Sequence, residues 1–303
     1  MNAENKSPRP GVGSRISFHL NGRSISLDPR VNAVRGDLAD VSLAGVLFAP
    51  HYAKAQAMHC VADAAFLRES GSGNAAAVSQ LLFGEVFHVL DVTGNWAWGF
   101  CDHDGYVGYI ERSALTEGAP AATHRVTARS APIFAEANIK SPVTGSLSAG
   151  SRIAGEENDG FLMTDRGALH LRHVLALGTD KPDWVKAAER QLGQPYVWGG
   201  RGANGIDCSG LVQLALGQAG VKVPRDTDLQ RDAIGDPLAD DAPLQRGDLI
   251  FFPGHVGIMM DSNNMLHANA HWMSTVIEPL ADVVARLKPD HEQPIVARRR
   301  ITL

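Results

Sequence analysis

The chain has little of what marks a specialised environment. Only three of its 303 residues are cysteine, Cys60, Cys101 and Cys208. The count is odd, the spacing irregular and no Cys-x-x-Cys pair occurs, which argues against a disulfide framework and a zinc knuckle. Aromatic residues make up only 6% of the chain, and 28 lysines and arginines face 33 aspartates and glutamates. Without a basic stripe interleaved with aromatics, no nucleic-acid partner is expected. The longest apolar stretches, such as VSLAGVLFAP, fall short of the roughly 20 residues that cross a bilayer, so no membrane span is expected. The N-terminal MNAENKSPRPGVGSRISFHL lacks an apolar core and a small-residue cleavage site, so a cytoplasmic location is expected. Export from a misassigned start is the alternative. Cys60 in MHCVADA and Cys101 in WGFCDHDGY stand in strand-like apolar contexts and read as core.

What is present is an ordinary globular composition, 44% hydrophobic and 20% charged, over a length that holds two or three modest cores. Alternating residues on both sides of Asn21-Gly22 predict a hairpin over 14–27. An irregular lead-in follows and ends at Pro50. From 56 to 118 short β runs alternate with turns, and a second, shorter set follows. The two sets share Leu67-Arg68 or Ala128-Arg129 in a strand, a Gly-led strand at Gly84 or Gly150, and an aromatic after a turn at Trp96 or Phe161. That order predicts an internal repeat of about 60 residues. TEGAPAATH links the two. The division is a lead-in over 1–54, two small all-β units over 55–120 and 121–178, and a third unit over 179–303.

The third unit changes period. KPDWVKAAERQLG predicts a helix with Asp183 as N-cap, Trp184, Val185, Ala188 and Leu192 on one side, and Gly193 as stop. QPYVWGGRGANGID reads as loop. CSGLVQLALGQAG reads as a second helix, with Leu211, Leu214 and Ala215 toward a core. DLIFF, HVGIMMD and NMLHANA are three β runs, giving an α+β arrangement. Cys208 then opens a helix, where unpaired N–H groups favour a thiolate and lower its pKa. His255, opening HVGIMM, is the natural proton acceptor. His267 lies 12 residues on, placed to accept from the Nδ1–H of His255 and fix its tautomer. Zinc held by these three residues is the competing chemistry, and it lacks a fourth ligand at a characteristic spacing.

YVWGGRGANGIDCSGLVQLAL, RGDLIFFPGHVGIMM and MLHANA together resemble the NlpC-type (NlpC/p60) cysteine peptidases of bacterial cell-wall metabolism. The preceding half resembles the paired bacterial SH3-like modules of one branch of that family, similar to γ-D-glutamyl-L-diamino-acid endopeptidases. The resemblance implies an α+β papain-like catalytic domain behind two small all-β SH3-like barrels. It implies Cys208 as nucleophile on a γ-D-glutamyl bond of a peptidoglycan stem peptide, His255 as base and then acid, and His267 as orienting group. The oxyanion would meet the Cys208 N–H and a donor on the loop from Tyr196.

The same resemblance implies a subsite for the free amino group of L-Ala. Asp207 and Ser209 flank the nucleophile there, Tyr196 lies on the loop, and Glu85 and Tyr106 from the first barrel wall the pocket. Beside these roles stand plainer ones: Asp207 as helix N-cap, Glu85 as a solvated strand residue and Tyr106 as barrel core. Trp96, Trp98 and Trp198 read as packing, and Asp248 as a turn or strand-edge residue. The partner implied is a peptidoglycan-derived peptide, in muropeptide recycling, with no metal or organic cofactor. The alternatives are an exported peptidoglycan hydrolase, another amidase or acyltransferase with the same Cys-His-His triad, and a wall-peptide binding protein. The sequence leaves the oligomeric state open.

Overall fold

The computed structural model describes residues 26–118, 121–179 and 182–303. The Asn21-Gly22 turn of the expected hairpin lies outside them. The lead-in carries more regular structure than its sequence suggests: Leu38–Asp40 pairs in parallel with His51–Ala53. Between them lies a single 3-10 turn, Val41–Leu43, capped by the Asp40 side chain on the Ser42 N–H. Ala33, Leu38 and Ala53 pack on Trp98 of the first barrel, so Trp98 is core.

Strands from Gln56–Cys60 to Leu115–Thr116 form one seven-stranded sheet around Leu67, Leu81, Phe87 and Ile110. Strands from His124–Val126 to Val174–Ala176 form a smaller pair of sheets around Ile133, Leu147, Leu162 and Leu169. The two units repeat one plan. Gly84 and Gly150 both take left-handed φ, +74° and +94°. Bulges fall at Leu67/Arg68 and at Ile133/Phe134, and 3-10 turns precede the last strands at Arg112–Ala114 and Leu171–His173. The counterpart of Leu67-Arg68 is therefore Ile133-Phe134, five residues past the Ala128-Arg129 suggested by the sequence: Arg68 pairs with Tyr109 as Phe134 pairs with Ala168. The shared arginine was the misleading cue.

In the third unit α1 covers Trp184–Glu189, with Asp183 accepting from the N–H groups of Val185 and Lys186. It ends before Gly193, because the chain tightens into turns in which Gln191 and Leu192 donate to Ala188 and Glu189 three residues back. Leu192 is consequently exposed and leaves the apolar face expected for it. Helix α2, Cys208–Gln218, is buried on nearly all sides, as a helix central to a core must be. It lies on an antiparallel six-stranded sheet that runs Asp236–Pro237, Ala297–Arg300, Asp248–Phe252, His255–Met259, Asn264–Asn269, Ser274–Pro279. Strand alternation sorts the two faces. Leu249 and Phe251 meet α2, while Ile250 and Phe252 meet Val283 of helix α4, Leu280–Leu287. Asp248 opens its strand fully buried, paired with Arg300 at 2.8 Å.

Both barrels grip the third unit. The amides of Arg201 and Gly202 donate to the Gln80 side chain at 3.0 and 2.8 Å, and the Ala203 amide donates to Ser148 at 2.8 Å. Arg125 donates to the Gly217 carbonyl at the far end of α2.

Candidate active site

Cys208 is the first residue of α2, and Asp207 is the N-cap. The Asp207 carboxylate accepts from the Gly210 N–H at 2.7 Å and the Gly199 N–H at 2.8 Å. It is also clasped at both oxygens by Arg225, a guanidinium only 1% exposed. Ser209 donates to the same carboxylate and accepts from Arg225 at 2.8 Å. Asp207 and Ser209 thus build the helix head and are occupied by one another and by Arg225. A side chain at Gly210 would meet the Gly200 carbonyl at 2.5 Å, so the turn that presents Cys208 requires glycine there.

Burial pushes the Cys208 thiol up to about 12, and the Asp207 charge adds to it. The Val256 and Ser209 N–H groups and Arg225 pull the other way. The low-pKa thiolate expected from the helix terminus is therefore outweighed by desolvation. His255 starts its strand next to Val256, and burial lowers its imidazole to about 3, helped by His267. Burial thus disfavours the charged form of sulfur and imidazole alike.

His255 Nε2 lies 2.7 Å from His267 Nδ1. His267 Nε2 in turn lies 2.8 Å from Glu278, which also holds Arg286 at 2.5 Å. Two groups face Nε2 of His267, the Glu278 carboxylate at 2.8 Å and the Asn269 amide nitrogen at 3.1 Å; the nearer, charged carboxylate is an acceptor only and places the proton on Nε2, so Nδ1 accepts from His255. The bond therefore uses Nε2 of His255, not the Nδ1 expected from sequence, and Nδ1 of His255 keeps a lone pair for a proton from Cys208. Glu278 was missed in the sequence. It stands on the Ser274–Pro279 strand, where His267 faces Val276 and Glu278 is its diagonal neighbour on the same face.

The cleft beside Cys208, about 290 Å³, is walled by Ser209, Trp198, Tyr106, Asp226 and Arg30. Trp198 is largely exposed here, at 66%, and does not pack in a core. Tyr106 donates to Asp226 at 2.9 Å, and burial raises its phenol above the ordinary value. Tyr196 packs against the α2 core, with its phenol raised by burial and by the neighbouring Cys208. Glu85 does not reach this cleft. Its carboxylate makes a two-point pair with Arg201 at 2.9 and 3.0 Å, accepts from the Leu82 N–H, and borders a different cavity. A guanidinium only 4% exposed at the domain junction needs a carboxylate, and Glu85 supplies it.

Asp226 and Arg30 occupy the cleft wall where the sequence reading had put Glu85. Asp226 is the N-cap of α3, Thr227–Ala233, yet its side chain makes no cap bond; it turns to Tyr106 and Arg30. The N-cap position before TDLQ was readable, but its reorientation was not.

The NlpC/P60 family matches residues 193–283, and the bacterial dipeptidyl-peptidase SH3 domain matches residues 67–115. The chain carries an NlpC/P60 domain. Cys208, His255, His267 and Glu278 all lie within that NlpC/P60 domain, and Tyr106 lies in the SH3 match. A probable endopeptidase of Mycobacterium tuberculosis is 36% identical over 106 residues, covering 34% of this chain and 27% of the relative. The chain thus spans about a quarter of the mycobacterial relatives it matches. A γ-D-glutamyl-L-lysine dipeptidyl-peptidase of Bacillus subtilis is 26% identical over 246 residues, 73% of this chain and 80% of that protein. Among solved structures, an NlpC/P60 family protein from Bacillus cereus shares the fold, with a TM-score of 0.69 at 21% identity over 81% of this chain and 99% of the other. That likeness in fold spans the barrels as well as the third unit.

Proposed function

We propose that this chain is a cysteine peptidase that hydrolyses the γ-D-glutamyl–diamino acid bond of peptidoglycan stem peptides with a free N-terminal L-Ala, in recycling of wall peptides. The observation that carries the proposal is the cleft itself. Cys208 lines it together with Arg30, Tyr106 and Asp226, and the neighbouring sheet carries the hydrogen-bonded series His255, His267 and Glu278.

In the chemical steps Cys208 Sγ attacks the γ-carbonyl carbon as its proton passes to Nδ1 of His255. The oxyanion meets the Cys208 N–H, a first-turn amide that has no partner within the helix. His255 then protonates the departing amine of the diamino acid, leaving a thioester on Cys208. Water, deprotonated by the same imidazole, releases the L-Ala-γ-D-Glu acid and restores the thiol.

Selectivity for a free amine follows from charge. Asp226 and Asp228 line the cleft with Arg30, whose guanidinium they share with Asp28 at 2.7 to 2.9 Å. An ammonium entering this cleft gains a net negative wall with Asp226 at its centre. The Bacillus subtilis relative, named for the γ-D-glutamyl-L-lysine bond, supports the same substrate class.

The test is incubation with L-Ala-γ-D-Glu-diaminopimelate and with its N-acetylated form, followed by mass spectrometry beside a Cys208→Ala control. Cleavage of the free peptide alone is the expected result. Equal cleavage of both would point to a general wall hydrolase, and cleavage of neither would remove the assignment.

A further inference from the structure

A second cavity, about 220 Å³, opens where both barrels meet the C-terminal half of α2. It is smaller than the roughly 300–1,000 Å³ of drug-sized sites. We infer that this cavity binds a small oxydianion through Arg125, Arg152 and Lys222, all three of which line it.

Arg125 and Arg152 stand directly opposite one another on paired antiparallel strands, a placement in which like charges destabilise a sheet. The hydrogen bond from Arg125 goes to a neutral carbonyl, that of Gly217, and its Nε is buried without a protein acceptor. Burial and the charge of Arg152 together pull the Arg125 guanidinium below its ordinary value. Of the two carboxylates that border the cavity, Glu85 is taken by Arg201, and Asp102 bonds His88 at 3.0 Å while it also feels the charges of Lys222 and Arg152. Lys222, from the loop after α2, brings a third cation from a different domain. Against the one charge of Asp102 the surplus is two, which fits a dianion such as a phosphate monoester or a dicarboxylate. Such a ligand would relieve the Arg125–Arg152 repulsion and tie the second barrel to the helix that begins at Cys208.

The experiment uses the full chain, titrated by calorimetry and followed by thermal melting. Inorganic phosphate and succinate are compared with chloride at matched ionic strength. Saturable binding and a rise in melting temperature are expected with at least one dianion. Tighter phosphate binding assigns a phosphorylated ligand, and tighter succinate binding a carboxylated one. In Arg152→Gln and in Lys222→Gln the affinity should fall about tenfold or more, the loss of one charge-assisted contact. Arg152 is exposed, so its variant should fold, and in chloride alone it should melt at or above the wild type because the repulsion is gone. Equal responses to chloride and dianions, unchanged affinity in both variants, or a lower melting point for Arg152→Gln in chloride would each overturn the inference.

Discussion

Arg30 Nη1 lies 2.8 Å from Asp226 Oδ2 across 196 positions of chain. It joins the lead-in to the head of α3 and turns the Asp226 carboxylate away from its cap toward the cleft. Tyr106 donates to the same oxygen. The lead-in thereby becomes a wall of the cleft and not merely a tether.

Arg30→Ala should release Asp226 to cap α3, an interaction worth about 1 kcal/mol there. Preference for the free over the N-acetylated peptide should drop about tenfold through KM, with kcat for the free peptide nearly kept, because withdrawal of the Asp226 carboxylate from the cleft outweighs removal of the Arg30 charge. Arg30→Lys should restore part of the preference. Steady-state kinetics on both peptides decide it: a kcat loss common to both would make Arg30 structural only.

Glu278→Gln should act on kcat. An amide can offer N–H to His267 Nε2 and stabilise the wrong tautomer, which removes the acceptor that His255 needs. The expected fall is about 10²-fold or more in kcat with KM little changed. Wild-type kcat in this variant would show that the tautomer is fixed by other contacts.

The trio proposed for catalysis, Cys208, His255 and His267, could be picked out because each member begins or lies within a short element whose type is written locally: a capped helix start, a strand after Pro253-Gly254, and the next strand. Glu278 required the register of one strand against another, and Asp226 required a guanidinium from the other end of the chain. Glu85 was misplaced for a related reason, since its partner Arg201 is set by the docking of one domain on another. The protonation state of Cys208 was harder to read, because the helix terminus that favours a thiolate is local while the desolvation that opposes it belongs to the whole fold.

That protonation state is measurable. With the thiol near 12 and His255 near 3, iodoacetamide labelling of Cys208 should keep rising with pH above 8 and show no plateau near pH 6. Cys60, pushed up to about 12 by burial, and the fully buried Cys101 should label more slowly still. A plateau between pH 6 and 7, absent in His255→Gln, would show a thiolate–imidazolium pair instead. Linkage gives a second reading of His255. Its folded value lies below the unfolded 6.5, so the unfolded chain binds more protons between about pH 6.5 and 3. The stability it contributes is complete above that window and lost as pH falls through it. The acid slope should therefore be shallower in His255→Gln.

Glu85→Gln separates structure from recognition. If Glu85 served the amine subsite, its loss would raise KM for the free peptide and leave the acetylated one untouched. Its carboxylate instead holds Arg201, and both side chains are under 10% exposed. Removing one partner leaves a buried guanidinium unpaired, at a cost of about 3–5 kcal/mol. The expected outcome is a lower denaturation midpoint with the ratio of free to acetylated cleavage unchanged in the folded fraction. Arg201→Met together with Glu85→Leu should recover much of that stability, because an apolar pair of similar volume leaves no charge to solvate. Selective loss of free-peptide cleavage in Glu85→Gln at full stability would return Glu85 to the cleft.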